Sequence, residues 1–172
     1  EFHPDSPAKP HGAQPMLTTE ERLDLQEFYF RYAECLDGGR LQNWPEFFTE
    51  QCVYRVSTRR GMRMGPEEDS MSFESKSIMR DRIVSLSQSE DFEPHEQRHY
   101  ITNVRAQGVE GEEWRVFANF LVLRTFPEKR SELFVSGFYH DRVVRPGGRL
   151  KFQEKLVVLD SEVAPENLIY PI

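Results

Sequence analysis

The 172-residue sequence predicts an α+β fold, with N-terminal helices packed in a strongly curved antiparallel, mixed sheet that closes around them as a cone. Apolar residues recur at helical spacing in the first half of the chain and at period two in the second half. The connections between the later segments are short and carry turn residues. That order, helices first and long strands last, builds a meander folded back over its own helices.

Residues 1–17 read as an extended arm: "EFHPDSPAKPHGAQP" is rich in proline and lacks periodicity. A single domain is expected from 18 to 172. Thr18 followed by Glu21 is a capping-box pattern. Leu25, Phe28, Tyr29, Tyr32 and Leu36 then share a helical face, and Gly38-Gly39 stop the helix. A short second helix is expected around Trp44, Phe47 and Phe48, with Pro45 near its start. "CVYRVST" (52–58) is β-branched and alternating, hence a strand. "GMRMGPEEDS" reads as a loop, and "FESKSIMRDRIVSL" as a third helix burying Ile78, Met79, Ile83 and Leu86. The strands follow as "RHYITNVRA", "EWRVFANFLVLRTF", "SELFVSGFYHDRVVR" and "RLKFQEKLVVLD". Their connections lie at Gly108/Gly111, at 127–130 and at Pro146-Gly147-Gly148. In the second of these strands Trp114, Val116, Ala118, Phe120 and Val122 fall on one face.

A composition 38% hydrophobic and 12% aromatic supports a packed core. The net charge of −7 argues against a nucleic-acid partner. No apolar run approaches membrane-spanning length, so no membrane partner is expected and a cytoplasmic location is. Cys35 and Cys52 are expected to be buried free thiols.

"HEQRH" (95–99) spells the H-E-x-x-H signature of zinc metalloproteases, which requires both histidines on one face of a helix. Pro94 precedes it and Tyr100, Ile101, Thr102 and Val104 follow, which favours a loop at His95 and a strand opening at His99. In an extended segment the two side chains stand roughly 13 Å apart, too far to share one ion. Rieske ligation needs paired Cys and His units that this chain lacks. His3, His11 and His140 lie too far from the others in sequence to suggest a facial triad. No metal or cofactor site is therefore expected. One acid–base pair survives: Asp37 at the end of the first helix and His99 at a strand start would face one cavity, with Tyr32 and Tyr54 as donors. The alternative is that Asp37 turns the chain and His99 makes a satisfied hydrogen bond.

The succession "FYFRYAECLDGGRLQNWPEFFTEQCVYRV", "FESKSIMRDRIVSL", "RHYITNV", "VFANFLVLRTF", "LFVSGFYHDRVVR" and "LKFQEKLVVLDS" resembles the small (β) subunit of bacterial aromatic-ring-hydroxylating dioxygenases. "RHxxxN" (Arg98, His99, Asn103) also occurs in other proteins of this nuclear-transport-factor-2-like fold. The resemblance spans about residues 20–170 and implies a subunit of an oxidoreductase with no catalytic centre of its own. It implies a catalytic α subunit as partner, typically as α3β3, with self-association as a trimer. That subunit would carry the Rieske [2Fe-2S] cluster and the mononuclear Fe(II), fed from NAD(P)H through a ferredoxin or reductase. Arg115, Arg124, Phe117 and Tyr139 are then candidate subunit contacts. The competing reading is a stand-alone dehydratase or isomerase using His99 and Asp37, and a third is a ligand-binding module with the same cone. The subunit reading predicts an interior filled by aromatic side chains, and the enzyme a roomy cavity.

Overall fold

Thr18 starts the fold. In the computed structural model, which describes residues 17–87, 95–165 and 168–172, its Oγ1 accepts from the Glu21 N–H at 3.2 Å. Its own N–H donates to the Glu21 carboxylate at 2.7 Å. This reciprocal cap satisfies two of the amide donors that a helix start leaves unpaired, and α1 runs from Thr19 to Asp37. Of the expected arm, only Leu17 belongs to the described residues, and it packs into the core.

The predicted second helix is a 3₁₀ segment over Leu41–Phe47, and Phe48 already belongs to strand β1 (Phe48–Thr58). The expected loop after it folds further than composition suggested. It holds most of the short helix α2 (Arg59–Met64) and a 3₁₀ turn at Pro66–Glu68; the strand β2 (Met71–Phe73) follows it, pairs with β1 at Tyr54↔Phe73 and takes Phe73 from the expected third helix. Helix α3 spans Lys76–Ser87 and buries Met79 and Ile83, whereas Ile78 is 46% exposed and lies off the predicted stripe.

Strands β3 (Glu96–Glu110), β4 (Glu113–Thr125), β5 (Glu132–Val144) and β6 (Lys151–Leu159) form the predicted antiparallel meander. Gly108 sits inside β3, at a register shift, and Gly111 makes the turn. The sheet order is β2-β1-β6-β5-β4-β3, and β1 runs parallel to β6, which makes the sheet mixed. Extra residues at the register shifts of β3, β5 and β6 and the positive φ of Asn103 are bulge features, which bend and twist a strand. They let the sheet wrap its concave face around α1. The Trp114, Val116, Ala118, Phe120 and Val122 face is buried, as its alternation predicts.

The interior is aromatic. Phe152 stands at its centre, 4.6 Å from Phe28, 5.3 Å from Tyr32 and Phe48, and 5.5 Å from Tyr29 between ring centroids. Trp44 meets Tyr54 edge-to-face at 5.0 Å, and Tyr139 stacks on Phe120 at 4.5 Å. Such contacts add to the area buried. Cys35 and Cys52 are buried free thiols, one donating to the Arg40 carbonyl and the other lying 3.7 Å from the Met79 sulfur. Among the described residues, no helix is long and apolar enough to cross a membrane.

Candidate functional site

Asp37 and His99, 62 residues apart, do meet. The end of α1 delivers the carboxylate to the inward face of β3, where Oδ1 accepts from His99 Nδ1 at 2.6 Å. Both carboxylate oxygens also take the His99 main-chain N–H, at 3.0 and 3.1 Å. Because the carboxylate only accepts, Nδ1 carries the proton and Nε2 is left to face the interior. That Nε2 is buried without a hydrogen-bond partner, and the imidazole has no exposed surface.

The expected donors are committed elsewhere. The Tyr32 hydroxyl donates to the Ile172 carbonyl at 2.9 Å and accepts from Trp44 Nε1 at 3.2 Å. The Tyr54 hydroxyl accepts from the Ile172 N–H at 2.9 Å. The main chain at Ile172 thus plugs the tyrosine cluster. A cleft of about 390 Å³ opens at the end of α1, walled by Asp37, Gly38, His95, Gln97, Tyr170 and Pro171 among others. Its volume suits a small ligand, but His99 is not among its walls.

The histidines of "HEQRH" part as their extended backbone requires. His95 lies outside the strand with its ring against Phe126, while His99 points inward from β3. Residues 96–99 are strand and not helix, so the zincin arrangement does not form. Among the described residues, no group of three or more His, Cys, Asp or Glu side chains is placed to hold a metal.

Sequence reasoning missed the most unusual polar contact. Asp141 and Lys155 stand opposite each other on β5 and β6, both fully buried, with Lys155 Nζ donating to Asp141 Oδ2 at 3.1 Å. The Tyr29 hydroxyl donates to the same oxygen. The ammonium sits 3.3 Å from the Tyr139 ring centroid and 4.6–4.7 Å from those of Phe152 and Tyr32, a cage of π faces. Burial pushes the Lys155 ammonium down to about 8 and the Asp141 carboxyl up. It also lifts the Tyr29, Tyr32 and Tyr139 phenols well above their usual range. Opposite charges in register across two strands were the one available signal. The alternation rule, which sends charge outward, hid it.

Two of the candidate subunit contacts are corrected. Tyr139 has no exposed surface, and Arg124 is 3% exposed with its guanidinium 3.4 Å over the Phe134 ring, because both project from the concave face. Phe117 is half-buried on the outer face and stacks on Phe138, and Arg115 is exposed.

A cone of helices and curved sheet, with a histidine–carboxylate pair joining the end of α1 to β3, defines a class that the comparisons with known proteins identify. Residues 18–155 match the SnoaL-like domain. The chain is 30% identical to the anthranilate 1,2-dioxygenase small subunit of Burkholderia cepacia, over 90% of this chain and 98% of the relative. It is 29% identical to the terephthalate 1,2-dioxygenase terminal oxygenase component subunit beta 1 of a Comamonas species, over 87% and 97%. A crystal structure from Novosphingobium aromaticivorans, described as the β subunit of an aromatic-ring-hydroxylating dioxygenase, superposes with a TM-score of 0.79 at 28% identity. It covers 87% of this chain and 95% of that one. The chain belongs to the SnoaL-like family and, within it, to the small (β) subunits of ring-hydroxylating dioxygenases.

Proposed function

We propose that this β subunit performs no chemistry and holds a large catalytic α subunit in an α3β3 oxygenase, self-associating as a trimer within it. The α subunit would carry the Rieske [2Fe-2S] cluster and the mononuclear Fe(II), with electrons from NAD(P)H arriving through a ferredoxin or reductase. The relatives' names support a large-subunit partner, since each is one subunit of an oxygenase acting on an aromatic compound.

One observation carries the noncatalytic reading: the aromatic interior is full, and the cleft of about 390 Å³ lies apart from it, at the end of α1. Where an enzyme of this shape needs a substrate chamber, Tyr29, Tyr32, Tyr54, Tyr139, Trp44 and Phe152 occupy the volume with no exposed surface. The described donors of this chain do not fit an iron–sulfur cluster or a mononuclear iron. Cys35 and Cys52 face different partners, and His95 and His99 diverge. The Asp37–His99 pair then acts as a clasp between α1 and the edge strand β3.

His99→Ala tests this in the assembled oxygenase. Loss of the clasp is expected to lower stability by about 1–3 kcal/mol, with turnover per assembled complex unchanged. Abolished turnover in a complex of normal composition and stability would overturn the reading in favour of a His99/Asp37 enzyme.

A further inference from the structure

The outward face of α1 carries an unusually regular stripe. Glu20, Leu23, Glu27, Phe30 and Glu34 follow one another at steps of three and four residues, and all are exposed, Leu23 by 61% and Phe30 by 50%. Steps of three and four keep side chains on one line along a helix. The stripe is therefore acid and apolar by turns, about 21 Å from Glu20 to Glu34 at 1.5 Å per residue. Exposed Arg31 lies beside the stripe and pairs with Glu27 only at 3.9 Å.

The opposite side of the molecule shows the complement. On the outer face of the sheet, the edge strand β3 presents Arg98, Tyr100 and Arg105. Leu121 of β4 and Leu133 of β5 lie beside them, with Tyr100 49%, Leu121 37% and Leu133 60% exposed. Among the described residues, Arg98 and Arg105 make no ion pair. Seven residues of strand span about 23 Å at full extension, slightly less across the bulge between Thr102 and Arg105. The two stripes are similar in length and apolar content and opposite in net sign, with Arg98 and Arg105 outweighing the exposed Glu96 at the start of β3. In a chain of net charge −7, two copies repel overall, so a contact between them requires local opposition of this kind.

We propose that the acidic-apolar face of α1 in one copy docks on the arginine-apolar outer face of β3–β5 in a second copy. The two surfaces lie on opposite sides of one protomer, so the contact is head-to-tail and closes into a ring where the rotation allows. It names the surfaces for the self-association in the proposed subunit role and rests on that reading.

The test measures the native mass of the full chain by analytical ultracentrifugation, alone and co-expressed with the large subunit. Four forms are compared: wild type, R98E/R105E, E27K/E34K and the four-fold charge swap. Wild type is expected to self-associate, more weakly as salt rises. Each double variant is expected to weaken association by about 100-fold, and the four-fold swap to recover most of it. Unchanged thermal midpoints show that the variants fold. A monomeric wild type, salt-insensitive association, intact association in either double variant, or failure of the swap to restore it would each overturn the contact. So would loss of the large subunit with self-association intact, which assigns the face to that partner. A chain that associates through these charges but captures no large subunit supports the contact and removes the proposed function.

Discussion

Replacing Lys155 by Met removes one half of a pair that has no access to water. In the native fold the ammonium has Asp141 Oδ2 at 3.1 Å and the rings of Tyr139, Phe152 and Tyr32 around it. Without it, Asp141 keeps only the Tyr29 hydroxyl, and its Oδ1 already lacks a partner. Breaking such a buried pair from one side costs about 3–5 kcal/mol. A domain of this size loses about 2–4 °C per kcal/mol, so the thermal midpoint is expected to fall by roughly 6–20 °C. Lys155→Met/Asp141→Leu removes both charges and leaves the Tyr29 hydroxyl unpaired, costing about 1–3 kcal/mol instead; adding Tyr29→Phe recovers most of that. The double variant is therefore more stable than Lys155→Met alone. Denaturant unfolding of the variants checks the cycle. The pair also sets a pH slope. Burial lowers the Lys155 value from 10.5 to about 8, so between pH 8 and 10.5 the unfolded chain binds a proton that the folded chain does not. Stability from this group rises with pH across that window, and Lys155→Met lacks the rise. A Lys155→Met cost below about 1 kcal/mol, or strict additivity with Asp141→Leu, would refute the reasoning.

Gly137→Ala is expected to destabilise by about 1–3 kcal/mol or more, because a Cβ there collides with the Val158 carbonyl of the neighbouring strand; thermal unfolding measures it. Thr18→Ala removes the capping box of α1 and should cost about 1 kcal/mol, with Thr18→Ser recovering most of it by the same assay. Cys35 and Cys52 are buried and burial raises both thiols, Cys52 to about 11, so native protein at pH 8 should react with a thiol reagent only as fast as it opens. Two thiols titrating at once without denaturant would contradict their placement.

Helix α1 was legible because its cap, its apolar period and its Gly38-Gly39 stop agree. The meander was legible because each strand alternates for many residues and each turn carries Gly or Pro. That Asp37 and His99 could be brought together was legible because each residue sits at the end of a segment, where a side chain can reach across; what the pair does there was not. Strand β2 and helix α2 were not: segments this short have too few residues to show a period, and β2 exists because Met71–Phe73 finds β1. The parallel pairing of β1 with β6 depends on residues just over a hundred positions apart, which no local pattern encodes. Arg124 and Tyr139 look like surface anchors by residue type. Only the strand register shows that they share the concave face with Val122 and Phe120.

The central claim, that this chain is a scaffold for a catalytic partner, is tested most directly by affinity purification from cells grown on an aromatic carbon source, with iron and native mass measured on the eluate. A brown complex containing a larger subunit, with iron in proportion to it, is the predicted result. A colourless homo-oligomer without partner or iron would contradict the scaffold role.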